Sequence, residues 1–246
     1  MSNYRLILQY DGSRYDGWQR MGKDESDNTI YSKIAEVLRK MTGAEPEINC
    51  GCRTEKGVHA YGQVINVRIN DNPAPIELKN YLNRYLPRDI AVLVCDNADD
   101  RFHASLNAKS ATYVYRLDVG NIADVFQRKY AYHTFDMPDI AAMRKAAEYF
   151  RGSHDFKNFT TARRSKSTVK NVTDISIDRQ DDNIVTISIT ANDFMHNMAR
   201  LMVGMLLDVA GGLKKPESVK DALEGKEVTM SFPAEACGLF LEKVNY

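Results

Sequence analysis

Hydrophobic periodicity changes along this chain in an order that leaves few folds open, because a period of two and a period of about 3.6 bury different faces of the backbone. Residues 4–10 alternate as a strand, and residues 29–41 place Ile30, Ile34, Val37, Leu38 and Met41 at helical spacing before Gly43 stops the helix. A short strand near 47–52 follows, then a longer one near 62–69 in which Ile65, Val67 and Ile69 share a face. A helix is predicted over about 76–85, ended by Pro87, and then an apolar strand over 90–95. The order is β-α-β-β-α-β.

The second half repeats that order with different residues. It reads as a strand over 111–119, a helix over 138–151 stopped by Gly152, strands over 172–178 and 184–190 joined by a turn at 180–183, a helix over 195–209 and a last strand over 239–244. The fold class expected is α+β, with two ferredoxin-like βαββαβ lobes, each an antiparallel sheet with helices on one face. The lobes are placed at residues 1–105 and 106–246. No low-complexity linker separates them, and a cleft between them is the natural place for a ligand.

Composition limits the partners. With 246 residues, 43% hydrophobic and 27% charged, the chain has the make-up of an ordinary soluble globular protein. It contains no apolar run of membrane-spanning length, and residues 1–10 lack the layout of a signal peptide, so a cytoplasmic protein with no membrane partner is expected. Cys50, Cys52, Cys95 and Cys237 show no zinc-type spacing and are read as thiols in a reducing compartment, and no metal is expected. Basic and acidic side chains number 33 each, so no global field draws a polyanion and any nucleic-acid face must be local. One candidate is the stretch 157–170, where Lys157, Arg163, Arg164, Lys166 and Lys170 stand without an acid. It suits phosphates; the rival reading is a solvated loop.

Three segments carry chemistry. Y-D-G-S-R-Y-D-G-W-Q-R at 10–20 holds the only tryptophan, two glycines suited to tight turns, and Arg14 and Arg20 as phosphate ligands; Trp18 itself is read as core. C-R-T-E-K-G-V-H-A at 52–60 puts a carboxylate, Glu55, on a short connection between Arg53 and Lys56, a setting that tunes a group for nucleophilic or base work. Surface ion pairs have the same sequence signature, and His59 is read as a structural histidine. In S-A-T-Y-V-Y-R at 110–116, Tyr113 and Tyr115 point the same way along a strand, a face able to stack a base turned out of its helix. Core packing is the rival for both, and the better reading for Tyr115 if one side of the strand alone is dry.

Taken together these segments resemble the tRNA pseudouridine synthase A family, and the match runs through nearly the whole chain. Residues 10–20 are similar to its opening motif and R-T-E-K-G-V-H-A-Y-G-Q-V at 53–64 to its catalytic motif. Further similarity lies in N-R-Y-L-P-R-D-I-A-V (83–92), R-F-H-A (101–104), T-Y-V-Y (112–115), H-D-F-K-N-F (154–159), F-M-H-N-M-A-R-L-M-V-G (194–204) and G-L-F-L (238–241). Ordered matches at this spacing are specific where any one would be weak.

The resemblance implies a homodimer of two-lobed subunits that isomerises uridine in the anticodon stem-loop of tRNA without metal or organic cofactor. It assigns the catalytic carboxylate to Glu55, the base-stacking tyrosine to Tyr113 and the basic partner of the carboxylate to Arg200. It gives Arg53 a part in extruding the base or holding RNA. The departures from the family pattern are Glu55 in place of aspartate, Cys52 in place of glycine, Lys56 in place of a small residue and Ser105 in place of a basic one. Two other readings stand beside the synthase: a catalytically impaired homologue acting as an RNA-binding or RNA-folding protein, and a synthase-like enzyme retargeted to another RNA.

Overall fold

The computed structural model describes residues 1–19, 26–162, 167–181 and 183–246. The chain divides into two compact units, Met1–Lys109 with Leu241–Tyr246, and Ser110–Phe240. It is a mixed α+β protein with five α-helices among the described residues.

The first unit runs β1 (Ser2–Tyr10), α1 (Ile30–Thr42), β2 (Glu47–Cys50), β3 (His59–Ile69), α2 (Pro75–Tyr85) and β4 (Ile90–Asn97). All its pairings among these strands are antiparallel: β1 lies between β4 and β3, and β2 pairs with β3. Tyr4 sits opposite Val67 and Leu6 opposite Ile65. Opposed residues share a face, and these four are fully buried. Helix α1 starts where the Thr29 hydroxyl accepts the Ser32 N–H at 3.2 Å and stops at Gly43, whose φ of +70° suits a residue without Cβ. Its buried stripe is Ile30, Ile34, Val37 and Leu38, while α2 buries Leu78 and Leu82.

Two buried asparagines dock the segment after β4. The Asn66 side chain donates to Asn3 Oδ1 at 3.1 Å and accepts the Ala104 N–H at 2.8 Å, and Asn3 donates to the carbonyls of Asp99 and Phe102. This is the structural use of R-F-H-A. The last strand, β10 (Leu239–Asn245), starts in the second unit and ends in the first. Gly62 of β3 admits it, since a Cβ there would stand 2.4 Å from the Glu242 carbonyl oxygen.

The second unit contains β5 (Ser110–Asp118), β6 (Tyr132–His133), α3 (Ile140–Glu148), β7 (Gly152–Asp155), β8 (Val169–Arg179), β9 (Ile184–Ala191), α4 (Met198–Ala210) and α5 (Glu217–Leu223). Strands β5, β9, β8 and β7 form an antiparallel series in that order, and β6 pairs parallel to the end of β5. Helix α4 is apolar nearly all round and buries Met198, Leu201, Met202, Val203, Met205 and Leu206. H-D-F-K-N-F supplies two of three fully buried rings, Phe156 and Phe159, which pack on Phe150 at centroid distances of 6.2 and 5.2 Å.

Two helices begin later than their periodicity predicts. Helix α3 starts at Ile140 because the Asp139 carboxylate caps the Ala142 N–H at 2.9 Å. Helix α4 starts at Met198 because Asn197 takes φ of +61°, outside the helical region. Among the described residues no helix is long and apolar enough to cross a membrane.

Candidate active site

The segment joining β2 to β3 carries Arg53, Glu55 and Lys56, and its shape is set by backbone contacts with the loop after β1. The Trp18 N–H donates to the Thr54 carbonyl at 2.9 Å, the Gly57 N–H to the Tyr15 carbonyl at 3.2 Å, and the Val58 N–H to the Glu55 carbonyl at 3.1 Å. The two chains run so close that side chains are excluded at both glycines of the loop. A Cβ on Gly12 would lie 2.0 Å from the Val58 carbonyl oxygen, and one on Gly17, where φ is +91°, 2.8 Å from the Thr54 carbonyl oxygen. Trp18 is almost fully buried and packs near Tyr10, the core role expected of it.

A buried polar relay holds the other side of the turn. Gln63, fully buried on β3, donates from Nε2 to the Cys52 carbonyl at 2.5 Å and to the Tyr10 hydroxyl at 3.3 Å, and accepts the Cys52 N–H at 3.3 Å. Tyr10 accepts from Gln63, so its own proton is free to donate to Thr54 Oγ1 at 2.8 Å. Burial pushes the Tyr10 phenol far up, which keeps it a neutral donor. Glu55 is thereby fixed at both flanks by its backbone neighbours and is itself half-buried.

Its charged neighbours are solvent-facing. Arg53 is exposed, and the Lys56 ammonium lies 2.7 Å from Asp16, whose carboxyl it holds below the usual range. Arg14 stands 3.7 Å from Asp89, with most of its side chain in solvent. Exposed pairs of this kind are worth little and are open to competition from phosphates. Burial pushes the Cys50 thiol up to about 12, so it stays protonated.

Tyr113 and Arg200 belong to the second unit. Tyr113, on β5 opposite Ile189, is nearly fully buried, and its ring meets Phe194 edge-on at a centroid distance of 4.8 Å. Tyr115 is wholly buried under Gly238, where a Cβ would meet its ring at 2.8 Å, so core packing is its role. Arg200 on α4 donates from Nε to the Ala234 carbonyl at 2.6 Å and from Nη1 to Asn197 Oδ1 at 3.1 Å. Segment 231–234 lies directly on α4 because Gly204 has no Cβ, which would sit 2.1 Å from the Phe232 carbonyl oxygen. The short link from Phe194 to Asn197 thus touches both Tyr113 and Arg200.

Arg20, Arg163, Arg164 and Lys166 lie outside the described residues. Lys170 is corrected: it is a buried residue of β8 whose ammonium pairs with Asp193 at 2.5 Å, so it does not extend the basic loop as a phosphate ligand. Among the described residues no group of three or more histidine, cysteine, aspartate or glutamate side chains is arranged to hold a metal ion. The sequence reading missed Gln63 and Tyr10. The available signal was Gln63 itself, a polar residue on the same strand face as Ile65 and Val67.

Comparison with known proteins shows the family. The family described as tRNA pseudouridine synthase matches residues 146–246. The chain is 42% identical over 247 residues to the tRNA pseudouridine synthase A of Bacillus sp. (strain KSM-64), covering 100% of both chains. It is 40% identical over 249 residues to tRNA pseudouridine synthase A 2 of Bacillus anthracis and 41% identical over 249 residues to tRNA pseudouridine synthase A 1 of Clostridium tetani, again covering 100% of each. By full-length similarity at this level, the chain belongs to the tRNA pseudouridine synthase A family.

Proposed function

We propose that this chain isomerises uridine to pseudouridine in the anticodon stem-loop of tRNA, with Glu55 as the carboxylate that opens the reaction. The bond from uracil N1 to ribose C1′ breaks, the base turns, and C5 bonds to C1′. C5 gives up its proton and N1 ends protonated, so the formula is unchanged. Glu55 acts as nucleophile or base, and the family resemblance assigns Arg200 as the basic residue of the reaction. Tyr113 stacks the base turned out of the stem-loop. Arg53, Lys56, Arg14, Arg20, Arg163, Arg164 and Lys166 hold RNA phosphates.

The observation that carries this reading is the clamped turn: backbone contacts at Gly12 and Gly17 and the Gln63 relay hold the half-buried Glu55 on a connection too short to drift. The element order and antiparallel pairing of the first unit support a ferredoxin-like lobe as the architecture that presents it. A homodimer is proposed as the working form. Supporting it is the segment 121–137 of the second unit, which exposes Ile122, Val125, Phe126, Phe135 and Met137, with Phe126 at 82% and Phe135 at 91%. A cytoplasmic location is proposed with the tRNA substrate.

The test is incubation of the purified protein with unmodified tRNA transcripts carrying tritium at uridine C5. Release of tritium with pseudouridine in the nuclease digest supports the reading. Tight tRNA binding with no release, on any tRNA, overturns it in favour of a non-catalytic RNA binder.

A further inference from the structure

We propose that a groove on the first unit, lined by α1, α2 and the Tyr15 loop, binds one unpaired nucleotide of the RNA substrate, its base on Tyr85 and its phosphate on Lys33. The identity of the RNA rests on the tRNA-modifying reading above; the groove itself does not. Its volume of about 540 Å³ lies within the range of roughly 300–1,000 Å³ usual for ligand sites.

One wall is aromatic. Tyr81 and Tyr85 stand one turn apart on α2 with ring centroids 4.6 Å apart, and Tyr85 is 54% exposed. The Arg84 guanidinium lies 5.7 Å from the Tyr85 ring centroid. The facing wall is basic. Lys33 and Lys40 lie seven residues apart on α1 and so share a face, and Arg14 comes from the loop. Lys40 is engaged by Glu36 at 2.7 Å and Arg14 faces Asp89 at 3.7 Å, whereas the Lys33 ammonium makes no hydrogen bond or ion pair among the described residues. Three cations and one carboxylate line a groove in a chain whose net charge is zero.

That combination selects the ligand class. A simple anion has no use for two tyrosines, and an apolar peptide face would bury the ammonium groups unpaired. A nucleotide in a single-stranded stretch uses both, by base stacking and phosphate contact. The groove also adjoins the chemistry: Tyr15 lines it, and the Tyr15 carbonyl accepts the Gly57 N–H of the Glu55 turn. Lys33, Lys40 and Tyr81 lie outside every segment that carries the family resemblance.

The test measures equilibrium binding of an unmodified tRNA transcript to wild type, Tyr85→Ala, Tyr85→Phe and Lys33→Ala across a salt series, with folding checked by thermal melts. Stacking on one base predicts roughly five- to hundredfold weaker binding for Tyr85→Ala and near wild-type binding for Tyr85→Phe. Lys33→Ala is expected to weaken binding and lower the salt slope by about one. Wild-type affinity in both alanine variants overturns the proposal. Loss of binding to uridine 5′-monophosphate with tRNA binding unchanged also overturns it, since the groove then takes free nucleotide. Because the readout is binding, an inactive wild type leaves this result interpretable by itself.

Discussion

Replacing Gly12 with alanine would set a Cβ 2.0 Å from the Val58 carbonyl oxygen and 2.6 Å from its carbon. Both are backbone atoms, so no side-chain rotation relieves the overlap, and one chain must retreat by on the order of 1 Å. Overpacking of this kind costs about 1–3 kcal/mol, which lowers Tm by roughly 2–12 °C in a chain of this size. The same retreat moves the turn that carries Glu55, and a misplacement of about 1 Å costs around a hundredfold in rate. Gly43 supplies the control: its φ is +70° and nothing lies within 4 Å of a Cβ there. Gly43→Ala therefore carries about 1–2 kcal/mol of backbone strain without touching the turn, and is expected to lower Tm with turnover unchanged. Single-turnover tritium release, at a temperature where circular dichroism shows both variants folded, separates the two effects. Turnover of folded Gly12→Ala within about threefold of wild type would refute the claim that this glycine contact positions Glu55.

Gln63→Met removes the amide that meets both backbone groups of Cys52 and the Tyr10 hydroxyl; each group left unpaired costs about 1–3 kcal/mol, so the urea midpoint is expected to fall, and an unchanged midpoint contradicts the relay. Alanine at Arg163, Arg164 and Lys166 together is expected to weaken all tRNAs alike and to reduce the slope of log affinity against log salt by roughly one per lost phosphate contact; an unchanged slope returns that loop to solvent. Light scattering at micromolar concentration is expected to give twice the subunit mass of 27.9 kDa, and a particle of subunit mass with and without tRNA counts against the dimer.

Periodicity was enough to place the long elements. Helix α1 shows why: Thr29 and Gly43 bound it as caps, and Ile30, Ile34, Val37 and Leu38 all turn inward. Three short elements had no such signal. Strand β6 has two residues, β7 has four, and α5 spans seven, too few for a period to show. Asn197 gave no warning that its backbone would turn left-handed and delay α4. The chemistry-bearing segments were legible as motifs, but what joins them was not. Gly12 and Gly17 are needed because a second backbone, more than 35 residues further on, lies against them, and no local window contains that fact. Lys170 misled for the same reason: its partner Asp193 comes from beyond the next strand.

The role of Glu55 is decided by comparing pseudouridine formation in wild type and Glu55→Ala beside tRNA affinity in the same buffer. The carboxylate acts mainly in the transition state, so Glu55→Ala is predicted to give no product while its affinity for tRNA stays within about threefold of wild type. Product from Glu55→Ala at the wild-type rate contradicts the account. So does the absence of product from both proteins on every cellular RNA while both bind tRNA tightly.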